Sequence, residues 1–129
     1  MSAVACRFLD MKRALTTAEA NALRYSIQHG RAITGPEPSD TTRGELRKRL
    51  RALRVTQLCG CGTCPSIRLA RVGAEPVPRT AHAETILETE LSDALLLTHI
   101  ADSDPFELEL APTASARWET FPDLAASAV

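Results

Sequence analysis

The stretch that decides the fold class is residues 94–111, ALLLTHIADSDPFELELA. It opens with an apolar run, passes through a turn that contains aspartate and proline, and ends in a segment where apolar residues alternate with Glu107 and Glu109. Alternation with a period of two is typical of a strand with one buried face, and turn residues between two such runs indicate a hairpin. We therefore predict antiparallel strands at 94–101 and 106–111, with one acidic, solvated face.

Short apolar runs separated by turn residues predict further strands before this hairpin. We place them near residues 55–59, 66–72 and 83–91. Segment 83–91 would also suit a helix, but its flanking prolines and β-branched residues favour a strand. The second part of the chain is therefore predicted to form an antiparallel sheet.

A first helix is predicted over residues 17–29. Thr16 and Glu19 have the spacing of a capping box, in which the hydroxyl and the carboxylate each bind a backbone N–H of the other residue. Gly30 follows the helical pattern, and we expect it to supply the left-handed residue that ends many helices.

A second helix is predicted after the proline-rich loop at residues 34–40. Thr42 and Glu45 repeat the capping-box spacing, and leucines then recur at helical intervals as far as residue 54.

These elements predict an α+β fold in which two N-terminal helices pack on an antiparallel β-meander of four to five strands. With 129 residues, the chain has the size of one domain. We expect a single domain over residues 1–129, with 1–14 and 123–129 loosely ordered. In the tail, Trp118 and Phe121 are the apolar anchors.

The composition is that of a globular protein, with 44% hydrophobic and 24% charged residues. The sequence has no apolar run long enough to cross a membrane, and its N-terminus lacks the apolar core of a signal peptide. We therefore expect a cytoplasmic protein without a membrane partner. Cysteines in such a protein are more often thiols or metal ligands than a disulfide framework.

The charged residues are divided unevenly along the chain. Residues 1–55 contain eleven Arg or Lys and five Asp or Glu, whereas residues 56–129 contain four and eleven. Four arginines would share one face of the predicted second helix: Arg43, Arg47, Arg51 and Arg54. We interpret them as a candidate protein-binding face; the alternatives are a solvated face or one neutralised by acidic residues. Nucleic acid is disfavoured as a partner, because the sequence pI is about 6.3 and no aromatic residues interleave with these arginines.

The loop between the first two predicted strands holds three thiols: Cys59, Cys61 and Cys64. Thiolates at this spacing can bind one tetrahedral zinc ion. Because no second Cys or His pair follows, a fourth ligand must be remote. His82 is the first candidate for it, and Cys6 and His29 are further ones. We expect His99, within the apolar run, to be a hydrogen-bonded strand histidine.

Two other interpretations of the cysteine loop stay open. Cys61 and Cys64 form a Cys-x-x-Cys pair that could cycle between dithiol and disulfide. The cysteines could also be small residues in a tight, glycine-rich turn, without chemical function. An iron–sulfur cluster is disfavoured, because it normally needs four cysteines and only Cys6 remains.

The string at residues 58–69, LCGCGTCPSIRL, resembles the Cys-x-Cys-Gly-(x)-Cys-Pro-Ser-Ile loop of an uncharacterised family of small proteins from high-GC Gram-positive bacteria. The positions that match the family pattern run through most of the chain: Leu15, Thr16, Glu19, Val55, Cys59, Cys61, Gly62, Cys64, Pro65, Ser66, Ile67, Leu108, Glu109, Phe121 and Pro122. Thr63 is an insertion relative to that pattern. The resemblance implies one intact domain with a cysteine loop and supplies no catalytic residue.

The sequence favours a non-enzymatic protein-binding module of the immunity, regulatory or phage-encoded adaptor type. It contains no nucleophile elbow, phosphate loop, His-Glu-x-x-His or dinucleotide fingerprint, and its uneven charge suits a binding role. The alternative is a small thiol redox or sulfur-transfer enzyme that uses Cys61 and Cys64.

Overall fold

A computed structural model of the chain describes residues 8–59, 64–75, 82–113 and 117–124. Within these ranges the fold is α+β, as predicted. The helical elements are α1 (Thr17–His29), α2 (Asp40–Arg49) and a short 3-10 turn (Leu50–Ala52). The strands are β1 (Phe8–Ala14), β2 (Arg31–Thr34), β3 (Leu53–Cys59), β4 (Ile67–Arg71), β5 (Thr85–Glu90), β6 (Ala94–Ala101) and β7 (Asp104–Pro112).

The described strands form one seven-stranded sheet in the order β1-β3-β4-β7-β6-β5-β2, and every neighbouring pair is antiparallel. The predicted count of four to five strands is therefore too low. The predicted meander is also only partly right, because β4 pairs with β7 and not with β5. The register of that pair is Ile67 against Leu108. Strands β5, β6 and β7 do follow one another as a meander.

The hairpin predicted from residues 94–111 is confirmed as β6 and β7. Asp102 and Ser103 form its turn with φ angles of 51° and 66°. Two consecutive positive φ angles are what a type I′ hairpin turn requires, and aspartate tolerates that region better than most residues. Strand β7 begins at Asp104, two residues earlier than predicted, because pairing continues up to the turn.

The hydrophobic core lies between the helices and one face of the sheet. Leu87, Thr98 and Leu108 are Cα partners across β5, β6 and β7, so their side chains point to the same face. Each is 0% exposed. The Thr98 hydroxyl donates to Ser26 Oγ of α1 at 2.6 Å, which satisfies a buried polar pair and fixes α1 over β6.

Helix α1 begins where the sequence predicts, with the full capping box. Glu19 N donates to Thr16 Oγ1 at 3.1 Å, and Thr16 N donates to Glu19 Oε1 at 2.8 Å. The Glu19 carboxylate also accepts two hydrogen bonds of 2.8 Å from Arg13 at the end of β1. Burial alone would raise the pKa of Glu19, but the hydrogen bonds and the positive charge of Arg13 outweigh burial, and the pKa is lowered.

The predicted role of Gly30 at the end of α1 is wrong. Gly30 has φ −68° and ψ 150°, which is an extended conformation and not a left-handed one. A Cβ atom at this position would lie 2.5 Å from the Ser26 carbonyl oxygen and 2.9 Å from Leu87 Cβ. Glycine is needed here because a side chain would clash with the last turn of α1 and with β5, and not because of its φ angle.

Helix α2 begins and ends earlier than predicted. Ser39, not Thr42, is its N-cap, since Ser39 Oγ accepts a hydrogen bond from Thr42 N at 3.1 Å. The helix ends at Arg49, and β3 begins at Leu53 after the 3-10 turn. Leu53 is 1% exposed and belongs to the same core as Leu50. Their spacing of three residues therefore does not mean that one helix continues through both.

Strands β1 and β2, which the sequence did not predict, form the two edges of the sheet. Residues 8–14 were expected to be loosely ordered, but they pair with β3 across a bulge between Asp10 and Arg13. Strand β2 has four residues and a bulge of its own, too few to show alternation. In the tail, Phe121 is 3% exposed and Leu124 8% exposed, so the anchor expected at Phe121 is in the core.

The Glu19 carboxylate should stabilise the fold in a pH-dependent way. We expect Glu19→Gln to lower the free energy of unfolding at pH 7 by about 2 kcal/mol, because the charge-assisted bonds with Arg13 are lost. A lowered folded-state pKa stabilises the fold above the unfolded value of 4.5, and this contribution disappears as the pH falls through the folded-state pKa. Urea unfolding of both proteins between pH 7 and pH 3 measures the difference.

Glu45→Gln is the matched control, because Glu45 is exposed and pairs with Lys48 only at 3.8 Å. We expect this variant to change the free energy of unfolding by less than about 0.5 kcal/mol. A constant difference between wild type and Glu19→Gln across the pH range would contradict the proposed contribution of the carboxylate.

Candidate functional site

Strands β3 and β4 bring the two ends of the cysteine loop together. Leu58 and Ile67 are Cα partners, and the backbone N–H of Cys59 donates to the Ser66 carbonyl oxygen at 3.0 Å. This pairing brings Cys64, two residues before Ser66, next to Cys59. Residues 60–63, including Cys61, lie outside the described part of the chain.

The sulfur atoms of Cys59 and Cys64 are 3.6 Å apart, with the Cys64 thiol as donor. Both side chains are partly buried. This distance exceeds the roughly 2.05 Å of a disulfide bond, so Cys59 and Cys64 are adjacent but not joined to each other by a disulfide. The structure thus places Cys64 beside Cys59, and the predicted pairing of Cys64 with Cys61 stays a prediction.

The two thiols line a cleft of about 560 Å³. Three segments of the chain form its walls. The cysteine loop and the adjoining strand ends contribute Leu58, Cys59, Cys64, Pro65 and Ser66; the end of β1 and the start of α1 contribute Arg13, Thr16, Ala18 and Glu19; the C-terminal segment contributes Trp118, Glu119, Thr120 and Phe121. The capping box of α1 and the cysteine loop therefore face the same space.

Two polar side chains of this cleft, Ser66 and Arg13, form hydrogen bonds that stabilise the fold. Ser66 is 2% exposed, and its hydroxyl accepts a hydrogen bond from Leu110 N at 3.0 Å. The Arg13 guanidinium is neutralised by its two hydrogen bonds to Glu19. Cys59 and Cys64 are the two described lining residues whose side chains can bind a soft metal ion or form a disulfide.

Trp118 forms an aromatic wall of the cleft. Its fluorescence depends on the environment of that wall. Its side chain packs against the core, as the sequence predicts for an anchor. Its indole Nε1 is buried, and among the described residues it has no hydrogen-bond partner. Because Trp118 is the one tryptophan of the sequence, its fluorescence is a specific probe of the cleft.

The histidine and cysteine candidates for a fourth metal ligand do not join the thiols in the described part of the chain. His82 is exposed and forms no three-ligand group with Cys59 and Cys64. His29 lies at the end of α1, where its ring stacks on Tyr25 with the centroids 4.7 Å apart. Cys6 is outside the described residues. The zinc site with Cys59, Cys61, Cys64 and His82 therefore remains a prediction.

A second polar cluster lies on the face of the sheet opposite the helices. His99 and Glu107 are Cα partners across β6 and β7, and Glu107 and Arg68 are partners across β7 and β4. His99 Nε2 is 3.1 Å from Glu109 Oε1, which confirms the prediction of a hydrogen-bonded strand histidine. Arg68 also stacks over Phe106, with its guanidinium carbon 5.8 Å from the ring centroid.

The face with Glu107 and Glu109 is less solvated than predicted. The Glu107 side chain is 20% exposed and the Glu109 side chain 37% exposed. Burial raises the pKa of Glu107, and the negative charge of Glu109 adds to this effect, whereas His99 and Arg68 oppose it. Alternation in β7 indicated that the two glutamates share a face, but the pairing of β4 with β7 was needed to place Arg68 beside them.

The four arginines of the proposed binding face do not share one helix face. Arg43 and Arg47 lie on α2, Arg51 lies in the 3-10 turn, and Arg54 lies on β3. Arg43 donates to the carbonyl oxygens of Ile27 and Gly30 at 2.8 and 2.9 Å.

Two of these arginines hold the helices together. Arg43 also pairs with Glu37, and Arg47 donates to Gln28 Oε1 at the end of α1. Their side chains therefore connect α2 to the C-terminal end of α1. Arg51 is exposed.

We expect Arg43→Ala to lower the free energy of unfolding by about 1–3 kcal/mol, because it removes the donor for two carbonyl groups at the end of α1. Arg51→Ala is the matched control and should change stability by less than about 0.5 kcal/mol. Urea unfolding at neutral pH measures both. Equal effects of the two substitutions would show that Arg43 has no structural role of this kind.

Comparisons with known protein families, with curated protein sequences and with solved structures find no match to this chain. In the described ranges, no helix is both long and apolar enough to cross a membrane. The function proposed for the chain therefore rests on the geometry and chemistry of its own residues.

Proposed function

We propose that the chain is a non-enzymatic protein-binding module whose cysteine loop holds a structural zinc ion. The observation that carries the zinc site is the 3.6 Å separation of Cys59 Sγ and Cys64 Sγ. Two thiolates bound to one tetrahedral zinc ion at about 2.3 Å lie about 3.8 Å apart. The two sulfurs are thus already close to the separation that a shared zinc ion requires.

The rest of the ligand set follows from the sequence. Cys61 lies between the two placed cysteines and is the third thiolate of the proposal. His82 remains the proposed fourth ligand; it does not group with Cys59 and Cys64 in the described part of the chain, so the proposal requires it to approach them when the metal binds. Such an ion would join the end of β3 to the start of β4, where it would stabilise the loop and the cleft beside it.

The binding role is supported by the surface and by the charge distribution. Ile33 on the edge strand β2 is 54% exposed and Val72, just after β4, is 58% exposed. Arg51 adds an exposed positive charge. The excess of basic residues in 1–55 and of acidic residues in 56–129 would steer a partner with the opposite pattern of charge.

A second candidate function is a reversible dithiol, favoured by the position of both thiols in an open cleft. The pair would be Cys59 and Cys64, since their sulfurs need to approach by only about 1.5 Å to form a disulfide. In that reaction the two thiols give two electrons and two protons to a low-molecular-weight disulfide, which is reduced to two thiols.

Metal analysis of protein purified under reducing conditions tests the zinc site. We expect about one zinc ion per chain, because three thiolates and an imidazole form a complete structural site. Cys59→Ser and Cys64→Ser should each lose most of the metal, and a chelator should lower the melting temperature of the wild type by several degrees. Cys6→Ser is the matched control and should retain zinc.

Trp118 fluorescence provides a second measurement of zinc removal by the chelator. Removal of zinc should shift the emission in the wild type and in Cys6→Ser, and leave it unchanged in Cys59→Ser. Absence of zinc, no effect of the chelator and rapid formation of a Cys59–Cys64 disulfide would overturn the zinc site in favour of the dithiol.

The binding role is tested with the zinc-loaded protein as bait in an extract of a high-GC Gram-positive bacterium. We expect saturable capture of one protein, weakened about tenfold or more by Ile33→Asp or Arg51→Glu if these exposed residues form the contact. Glu90→Gln, an exposed substitution on β5, is the control. Capture that is identical for all variants, or no greater than with an unrelated bait, would contradict the proposal.

A further inference from the structure

A row of polar side chains crosses four neighbouring strands on the face of the sheet away from the helices. His99, Glu107, Arg68 and Gln57 are successive Cα partners on β6, β7, β4 and β3. Cα partners in an antiparallel sheet carry side chains on the same face. Glu109 lies two residues after Glu107 on β7 and therefore belongs to the same face.

We propose that His99, Glu107 and Glu109 form a binding site for a single divalent cation. One ligand atom from each of the three residues can be chosen so that all lie within 4.8 Å of one another. Ligands on one ion at about 2.1 Å are at most about 4.2 Å apart, so small side-chain rotations complete the site. An imidazole with two carboxylates suits first-row ions such as Mn²⁺ and Zn²⁺.

The charge balance of the cluster favours a cation. In the described part of the chain, two carboxylates face one guanidinium, that of Arg68, which pairs with Glu107 at 3.9 Å. Among the described residues, no hydrogen bond reaches the Glu107 carboxylate, although its side chain is only 20% exposed. A bound cation would balance the negative charge that Arg68 leaves on the two carboxylates.

Arg68 limits the negative charge of the proposed cation site and orients the Glu107 carboxylate. Its side chain is 7% exposed, and it is held between Glu107 and the Phe106 ring. A fixed guanidinium beside Glu107 directs that carboxylate and leaves the cluster with one net negative charge when His99 is neutral. The cluster is therefore suited to one divalent ion and not to a pair of ions.

The cation site is separate from the thiol cleft. None of His99, Glu107 and Glu109 lines that cleft. The two sites also differ in ligand chemistry, since thiolates prefer zinc whereas carboxylates accept Mn²⁺. The inference is therefore independent of the function proposed above, and Mn²⁺ distinguishes the two sites.

Titration with Mn²⁺, followed by the electron paramagnetic resonance signal of the free ion, tests the site in the protein as purified. We expect one Mn²⁺ per chain, with saturation below about 1 mM. Glu107→Gln, Glu109→Gln and His99→Gln should each weaken binding about tenfold or more. Glu90→Gln, an exposed glutamate on the neighbouring strand β5, is the matched control and should bind as the wild type does.

Thermal unfolding provides a second measurement that does not depend on one variant folding well. Mn²⁺ should raise the melting temperature of the wild type and of Glu90→Gln, and should leave that of Glu109→Gln unchanged. Glu109 is the more exposed of the two glutamates, so its amide variant should retain the fold. No binding up to 1 mM Mn²⁺, or equal weakening by Glu90→Gln, would overturn the proposal.

Discussion

The Glu19 carboxylate is the group on which the N-terminal half of the structure depends. It accepts hydrogen bonds from the N-cap residue Thr16 and from Arg13 at the end of β1, so one side chain fixes both the end of a strand and the start of a helix. Because α1 then lies over β6 through the Ser26–Thr98 bond, the position of β1 is coupled to the centre of the sheet. The same carboxylate lines the thiol cleft, which connects the fold to the cysteine pair.

Much of this fold could be predicted from the sequence, because its central elements carry strong local signals. The capping box at Thr16, the hairpin of β6 and β7 and the strand character of β5 all follow from periodicity and turn chemistry. Strands β1 and β2 carry no such signal, since an edge strand needs only one partner and shows little alternation. Their positions depend on pairing with β3 and β5, which a local pattern does not contain.

The candidate sites could also be predicted only in part, because sequence spacing shows nearby residues but not contacts between distant strands. The spacing of the cysteines predicted that their loop is a candidate site, but the contact between Cys59 and Cys64 depends on the register of β3 and β4. The proximity of the side chains in the polar row was not predicted, although its glutamates and histidine belong to the predicted hairpin. Arg68 comes beside Glu107 only through the pairing of β4 with β7. The prediction that four arginines share one helix face was wrong because α2 ends at Arg49, and the hydrogen bonds of Arg43 and Arg47 to α1 could not be inferred from helical spacing.

The strand order has a consequence for how the protein is made on the ribosome. Both edge strands come from the first part of the chain, with α1 between them, yet Phe8 pairs with Cys59 and Arg31 pairs with Glu88. The N-terminal segment is synthesised first but has no partners until β3 and β5 have emerged. Until then, Leu23 and Ile27 of α1, both 0% exposed in the finished fold, lack the sheet that covers them. Until then the apolar face of α1 is left in contact with solvent or a chaperone, and its burial depends on late, long-range pairing.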